Sequence, residues 1–225
     1  MNLNDLTWIE VKEYLKKRRD VLVPFGSVEE HGHHLPLSTD GDIALAIADK
    51  LGEKTGILAA PIIWYGVSNT TRGYAGTTMV SFDSLRAYSK DVMLNLKESG
   101  FRIIYLLSGH MSRSHLEAIK EAAKATDLET YLLDFSQIKT DDILETKPIH
   151  ACEAETSLML YLHPEKVNMR KAVDEKIEFE KFSVKGSLKK TKSGVFGSPT
   201  KATREKGKKL FGRIVKELAE FINLN

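Results

Sequence analysis

Apolar residues recur along this chain in two alternating rhythms. Val21 to Pro24, Ile57 to Ile63, Ile103 to Leu107 and Thr130 to Leu133 are short, nearly continuous apolar runs of strand length. Between them the spacing changes to that of a helix face. Ile43, Ala44, Ile47, Ala48 and Leu51 form one such stripe, Leu85, Tyr88, Val92 and Leu96 a second, and Leu116, Ile119 and Ala123 a third within a helix predicted from Ser114 to Thr126. A first amphipathic helix is predicted from Trp8, Ile9, Val11, Tyr14 and Leu15, ending near Arg18-Arg19. Two more are expected across Glu153 to Leu162 and from about Thr200 to Leu224. Strands alternating with helices over short connections imply a mostly parallel sheet covered on both faces, an α/β fold built as a three-layer α/β/α sandwich. No linker-like segment divides residues 1–225, so one domain is expected. The Lys185 to Lys192 cluster reads as a solvated loop.

Polar residues with ligand chemistry interrupt this pattern at three places. Directly after the first strand come Glu29, Glu30, His31, His33, His34, Asp40 and Asp42, and Asp40 falls at the predicted start of a helix. A solvated turn accounts poorly for so many imidazoles. Carboxylates and neutral imidazoles are what zinc and manganese take where no thiolate is offered. A loop between a strand end and a helix start also lies at the carboxyl edge of a sheet, where open α/β folds place their sites. His110 ends another predicted strand, and His150, Glu153 and Glu155 cluster near the start of a later helix. Read singly, His110 would be a structural histidine and His150 part of a surface turn.

Together these segments resemble a known family. Gly26-Ser27-Val28-Glu29-Glu30-His31-Gly32-His33-His34-Leu35-Pro36-Leu37 followed by Thr39-Asp40 is similar to the creatininase (creatinine amidohydrolase) signature, with Glu30 where that family commonly has Gln. Ser108-Gly109-His110 resembles its second motif, His150-Ala151-Cys152-Glu153-Ala154-Glu155-Thr156-Ser157 its third, and Gly194 to Gly207 its closing segment. The resemblance implies two divalent ions, Zn2+ and/or Mn2+ with Fe2+ as an option. Glu29, Asp40 and His110 would hold one, His31, Asp40 and Glu155 the other, with Asp40 bridging. It further implies a metal-dependent amidohydrolase that cleaves a non-peptide amide C–N bond of a small molecule through a metal-bound hydroxide. His150 would handle the leaving-group proton, Glu153 would orient it, and Ser68, Met111 and Arg113 would face substrate. Other activities within the resemblance are deformylation of a formamidopyrimidine ribotide and peptide trimming. A non-catalytic metal-binding paralogue is the alternative of a different class. A homo-oligomer is implied as well, in the family often a hexamer.

Composition narrows the partners. Lys and Arg number 33 against 31 Asp and Glu, a formal net charge of +2, so nothing global favours nucleic acid or an anionic membrane. The single cysteine, Cys152, excludes an internal disulfide framework, and the amino terminus has no signal-like order. A cytoplasmic location is expected. Departures from the family pattern bear on substrate. Thr70-Thr71 stands where many members have Glu-His, and Met111-Ser112-Arg113 follows His110 in place of Gly-Gly-Asn. No tryptophan occurs between Leu133 and His150, whereas creatininases close over their small ring with tryptophans. Poor binding of creatinine is expected, and Arg72 and Arg113 are candidates to pair with an anionic substrate.

Overall fold

The computed structural model describes residues 2–176 and 191–224. Strands β1 (Asp20–Phe25), β2 (Leu58–Ala59), β3 (Ile103–Ser108) and β4 (Glu129–Leu133) form one parallel sheet in the order β2-β1-β3-β4. The two central strands pair from Asp20 opposite Ile103 to Phe25 opposite Ser108. Because successive side chains of a strand point to opposite faces, the apolar runs feed two cores. Leu22, Tyr105 and Leu107 pack with α2 (Thr39–Thr55), α5 (Glu153–Leu162) and α6 (Arg204–Leu224). Val21, Val23, Phe25, Ile104 and Leu106 pack with α1 (Trp8–Leu15), α3 (Phe82–Ser99) and α4 (Arg113–Lys124). The molecule is therefore the expected three-layer α/β/α sandwich.

Topology decides where a site can form. From β1 the chain passes through α2 to β2 on one side, and from β2 through α3 it crosses past β1 to β3 on the other. The connections thus diverge between β1 and β3, which opens a crevice at the carboxyl ends of these two strands.

Some elements differ from the sequence expectation. The run from Ile57 to Ile63 supplies only the two paired residues of β2, because Pro61 has no N–H to continue the ladder. Ile63 rejoins the sheet alone, donating to Pro24 O at 3.0 Å and accepting from Gly26 N at 3.0 Å. α1 stops at Leu15, short of Arg18-Arg19, and leaves Trp8 and Ile9 exposed (74% and 54%). The Tyr14 hydroxyl donates to Asp20 O at 2.9 Å, so the helix is pinned to the sheet at its carboxyl end. α6 begins only at Arg204, because Pro199 starts a separate 3-10 turn, Pro199–Lys201. Residues 185–190 of the lysine cluster lie outside the described residues. Among the described residues no helix is long and apolar enough to cross a membrane.

Candidate metal centre

The crevice between β1 and β3 receives side chains from four segments. Glu29 and His31 come from the loop after β1, Asp40 from the first turn of α2, His110 from just past β3, and Glu155 from the first turn of α5. Glu29, His31, Asp40 and His110 are all at most 6% exposed. Their ligand atoms form two triads that share Asp40, namely Glu29, Asp40, His110 and His31, Asp40, Glu155, each with its atoms within 4.8 Å of one another. These are the five residues that the sequence nominated as ligands.

Backbone and side-chain bonds aim each group. His31 donates its Nδ1–H to the Glu29 carbonyl at 3.1 Å, which leaves Nε2 facing Asp40 Oδ1 at 3.1 Å. His110 donates from Nε2 to the Val67 carbonyl at 3.1 Å, and its Nδ1 lies 2.9 Å from Glu29 Oε1 and 3.0 Å from Asp40 Oδ2. Ser27 Oγ donates to Asp40 Oδ2 at 2.7 Å, Thr71 Oγ1 to Glu29 Oε2 at 2.7 Å, and the Cys152 N–H to Glu155 Oε2 at 3.3 Å. Metal-ligating histidines and carboxylates need such outer partners to fix ring orientation and denticity.

The electrostatics favour a cation. Burial drives the Glu155 carboxyl upward. Burial alone would also raise Asp40, but the imidazoles of His31 and His110 outweigh it and hold that carboxyl well below its usual range. For His31 the burial that would lower its pKa is overcome, chiefly by Asp40, and the ring stays protonated up to about 10. His110 is likewise held high by Glu29 and Asp40 against its burial. The carboxylates of Glu29, Asp40 and Glu155 thus keep two imidazoles charged, and a divalent ion in either triad would displace those protons. The donor set, oxygen and nitrogen without thiolate, fits Zn2+ or Mn2+.

Residues 4–222 match the creatininase family, described as creatinine amidohydrolase. The chain belongs to the creatininase family. It is 31% identical over 181 residues to the 3-dehydro-scyllo-inosose hydrolase of Thermotoga maritima, a match covering 75% of this chain but only 58% of that protein. It is 26% identical over 248 residues to the creatinine amidohydrolase of Pseudomonas putida, covering 98% and 95% of the two chains. A mycofactocin precursor peptide peptidase of Mycolicibacterium smegmatis is 29% identical over 213 residues, covering 90% and 83%. A crystal structure of creatininase shares the fold with a TM-score of 0.88 at 24% identity, over 99% of this chain and 96% of that one. Manganese and zinc–zinc forms of creatininase superpose with TM-scores of 0.86 and 0.85.

The remaining residues that the creatininase resemblance singled out fall in different places. His150 stands at the triads: its Nδ1 is 3.8 Å from Glu29 Oε1, and it forms a further close group with Glu29 and His31. It lies ahead of α5 rather than on it. Its backbone pairs with Phe196 of the closing segment, and Ala151 takes a left-handed conformation (φ 47°) between it and the helix. Glu153, expected to orient His150, does not reach it. Its carboxylate accepts from the Glu145 and Thr146 amides at 3.0 and 2.9 Å and from Lys206 Nζ at 2.6 Å, because the helical turn places it on the side facing α6.

Glu30 holds His150 instead. His150 Nε2 lies 2.9 Å from the Glu30 carbonyl and 3.2 Å from Oε1, while Oε2 accepts the Gly32 N–H at 2.9 Å. Gly194 makes room for this carboxylate, since a Cβ there would lie 1.8 Å from Oε2. The closing segment therefore both pairs with His150 and accommodates its partner. Ser68, expected to touch substrate, is fully buried behind His110, with its Oγ 3.4 Å from Nε2. Met111 is part-buried beside His110, and Arg113 is exposed at the first residue of α4. Cys152 joins no metal-competent group among the described residues; burial raises its thiol pKa to about 12. Ser27, Thr71 and His115 were not anticipated. Ser27 lies within the first motif and was open to notice, Thr71 was marked only as a departure from the family pattern, and nothing local marks His115.

Proposed function

We propose that this member of the creatininase family is a metal-dependent amidohydrolase that cleaves a non-peptide amide C–N bond in a small anionic molecule. The observation that carries the reading is the pair of nitrogen and oxygen triads sharing Asp40, with His150 set against Glu29 and His31. Two divalent ions bound there, Zn2+ or Mn2+, would acidify a water and polarise the scissile carbonyl. The chain's own contribution is proton handling and orientation. With Nε2–H donated to Glu30, His150 presents the Nδ1 lone pair toward the triads. There it would take the proton of the attacking water and return it to the leaving nitrogen.

Substrate selection follows from the walls. Trp8 is exposed on α1, and Trp64 packs against the backbone of Gly41, where a Cβ would fall 2.1 Å from its ring. Neither lies in the 133–150 segment, which holds no tryptophan to stack on a small flat ring. Arg113, exposed at the first residue of α4 shortly after His110 in the chain, is the cation offered to an anionic substrate. The protein is further proposed to act as a homo-oligomer in a reducing compartment, which light scattering at micromolar concentration checks. The deciding experiment loads the purified chain with Mn2+ or Zn2+ and assays creatinine beside N-formyl and N-carbamoyl amino acids. Chelator-sensitive hydrolysis of the anionic amides with little on creatinine is expected. Efficient creatinine turnover, or no chelator-sensitive hydrolysis of any amide, would overturn the reading.

A further inference from the structure

Two ligands of the Glu29, Asp40, His110 triad are held from one loop. Val67 accepts the Nε2–H of His110 on its carbonyl at 3.1 Å. Four residues on, Thr71 Oγ1 donates to Glu29 Oε2 at 2.7 Å. The loop is itself fixed, since the Val67 N–H donates to His115 Nδ1 at 3.2 Å and Gly66 O accepts from Val80 N at 3.0 Å. Val67, Thr71 and His115 are at most 2% exposed, so bulk water cannot replace these bonds. The other triad is held differently: His31 leans on the Glu29 carbonyl and Glu155 on the Cys152 amide.

We infer that Thr71 is a positioning residue that fixes how Glu29 meets a metal ion, and that its loop governs one of the two ion positions but not the other. The Thr71 hydroxyl has one proton. The Ser68 carbonyl is also within reach at 3.2 Å, but the carboxylate is nearer and charged, and charge-assisted bonds are the stronger. With Oε2 so occupied, only Oε1, which faces His110 Nδ1 at 2.9 Å, is offered to the ion. A one-oxygen ligand leaves coordination positions open for water and substrate, as catalytic sites require. His115 acts on the same ion at one remove, by anchoring the peptide that orients His110. This rests on the two-ion reading above and deepens it by making the two positions unequal.

The test uses the full chain stripped by chelator and titrated with Mn2+, with bound metal measured after equilibrium dialysis. Thr71→Val keeps the side-chain shape and removes the hydroxyl, whereas Thr71→Ser keeps the hydroxyl. The expected result is two ions in wild type and in Thr71→Ser. In Thr71→Val one ion should bind unchanged and one about 10- to 100-fold more weakly, the scale for a lost outer partner. His115→Gln should weaken that same ion, and it serves if Thr71→Val does not fold. The weakened ion must also be the one that survives in Glu155→Ala, which removes a ligand of the other position. Two wild-type ions with Thr71→Val unaffected, or with both weakened equally, would overturn the inference alone. Fewer than two ions in wild type would overturn the two-ion reading and this inference with it.

Discussion

The backbone oxygen of Asp40 occupies the place where residue 109 would carry a side chain: a Cβ on Gly109 would lie 2.0 Å from it. The first turn of α2 and the end of β3 touch backbone to backbone here, which is how Asp40 and His110 come within 3.0 Å. Neither side of the contact is a flexible side chain. Gly109→Ala should therefore push the two segments apart, costing about 1–3 kcal/mol or more in overpacking and reducing ion uptake. Thermal melts and elemental analysis check this; wild-type melting with full metal would contradict it.

Asp40 turns Oδ1 to His31 and Oδ2 to His110, so one carboxylate serves both triads. Asp40→Ala is expected to lose both ions, and Glu155→Ala to deplete one preferentially. A purified Asp40→Ala protein with its full metal complement would remove the bridging role.

His150 belongs to neither Asp40-sharing triad, yet it faces Glu29 and His31. His150→Asn should keep its metal and slow turnover roughly 100-fold or more, the scale for a lost general acid or base. An unchanged rate at saturating substrate would place proton transfer elsewhere.

Glu153 is fully buried and gathers two amides and Lys206, which is itself 19% exposed at its side chain. Glu153→Ala leaves the two amides without their acceptor, while Lys206 keeps Glu145 and the Lys201 carbonyl, and a loss of about 1–3 kcal/mol is expected from the unpaired donors. Bound metal should not change. Denaturant unfolding with a parallel metal assay separates this structural role from a catalytic one: normal stability with impaired turnover would reverse the assignment.

His34 is buried, with Nε2 2.9 Å from Thr156 Oγ1. Desolvation, helped by His31 and His33, lowers its pKa from 6.5 to about 4. Burial lowers His115 in the same direction. The unfolded chain therefore binds more protons between these values. The stability that these two neutral buried rings contribute is complete above about pH 6.5 and is lost as pH falls toward 4. Melting temperatures of the chelated protein should decline over that window, and His34→Asn should make the decline shallower. An identical slope in the variant would show that His34 does not contribute.

Sequence alone determined the layers and nominated the candidate ligands, and the reasons are local. Hydrophobic period is a property of consecutive residues, so Val21 to Pro24 and Ile103 to Leu107 announced buried strands without reference to anything distant. Glu29, His31, Asp40, His110 and Glu155 stood in recognisable motifs because metal chemistry restricts residue type. What supports those ligands was decided only by tertiary structure. Thr71 meets Glu29 across 42 positions, His115 meets Val67 across 48, and Glu30 meets His150 across 120. A hydroxyl or an imidazole has no local signature for such a task. The same physics moved Glu153 away from His150 and placed Ser68 behind His110. Spacing along the chain says which residues are neighbours, and only packing against α6 and the loop after β2 fixed which way they face.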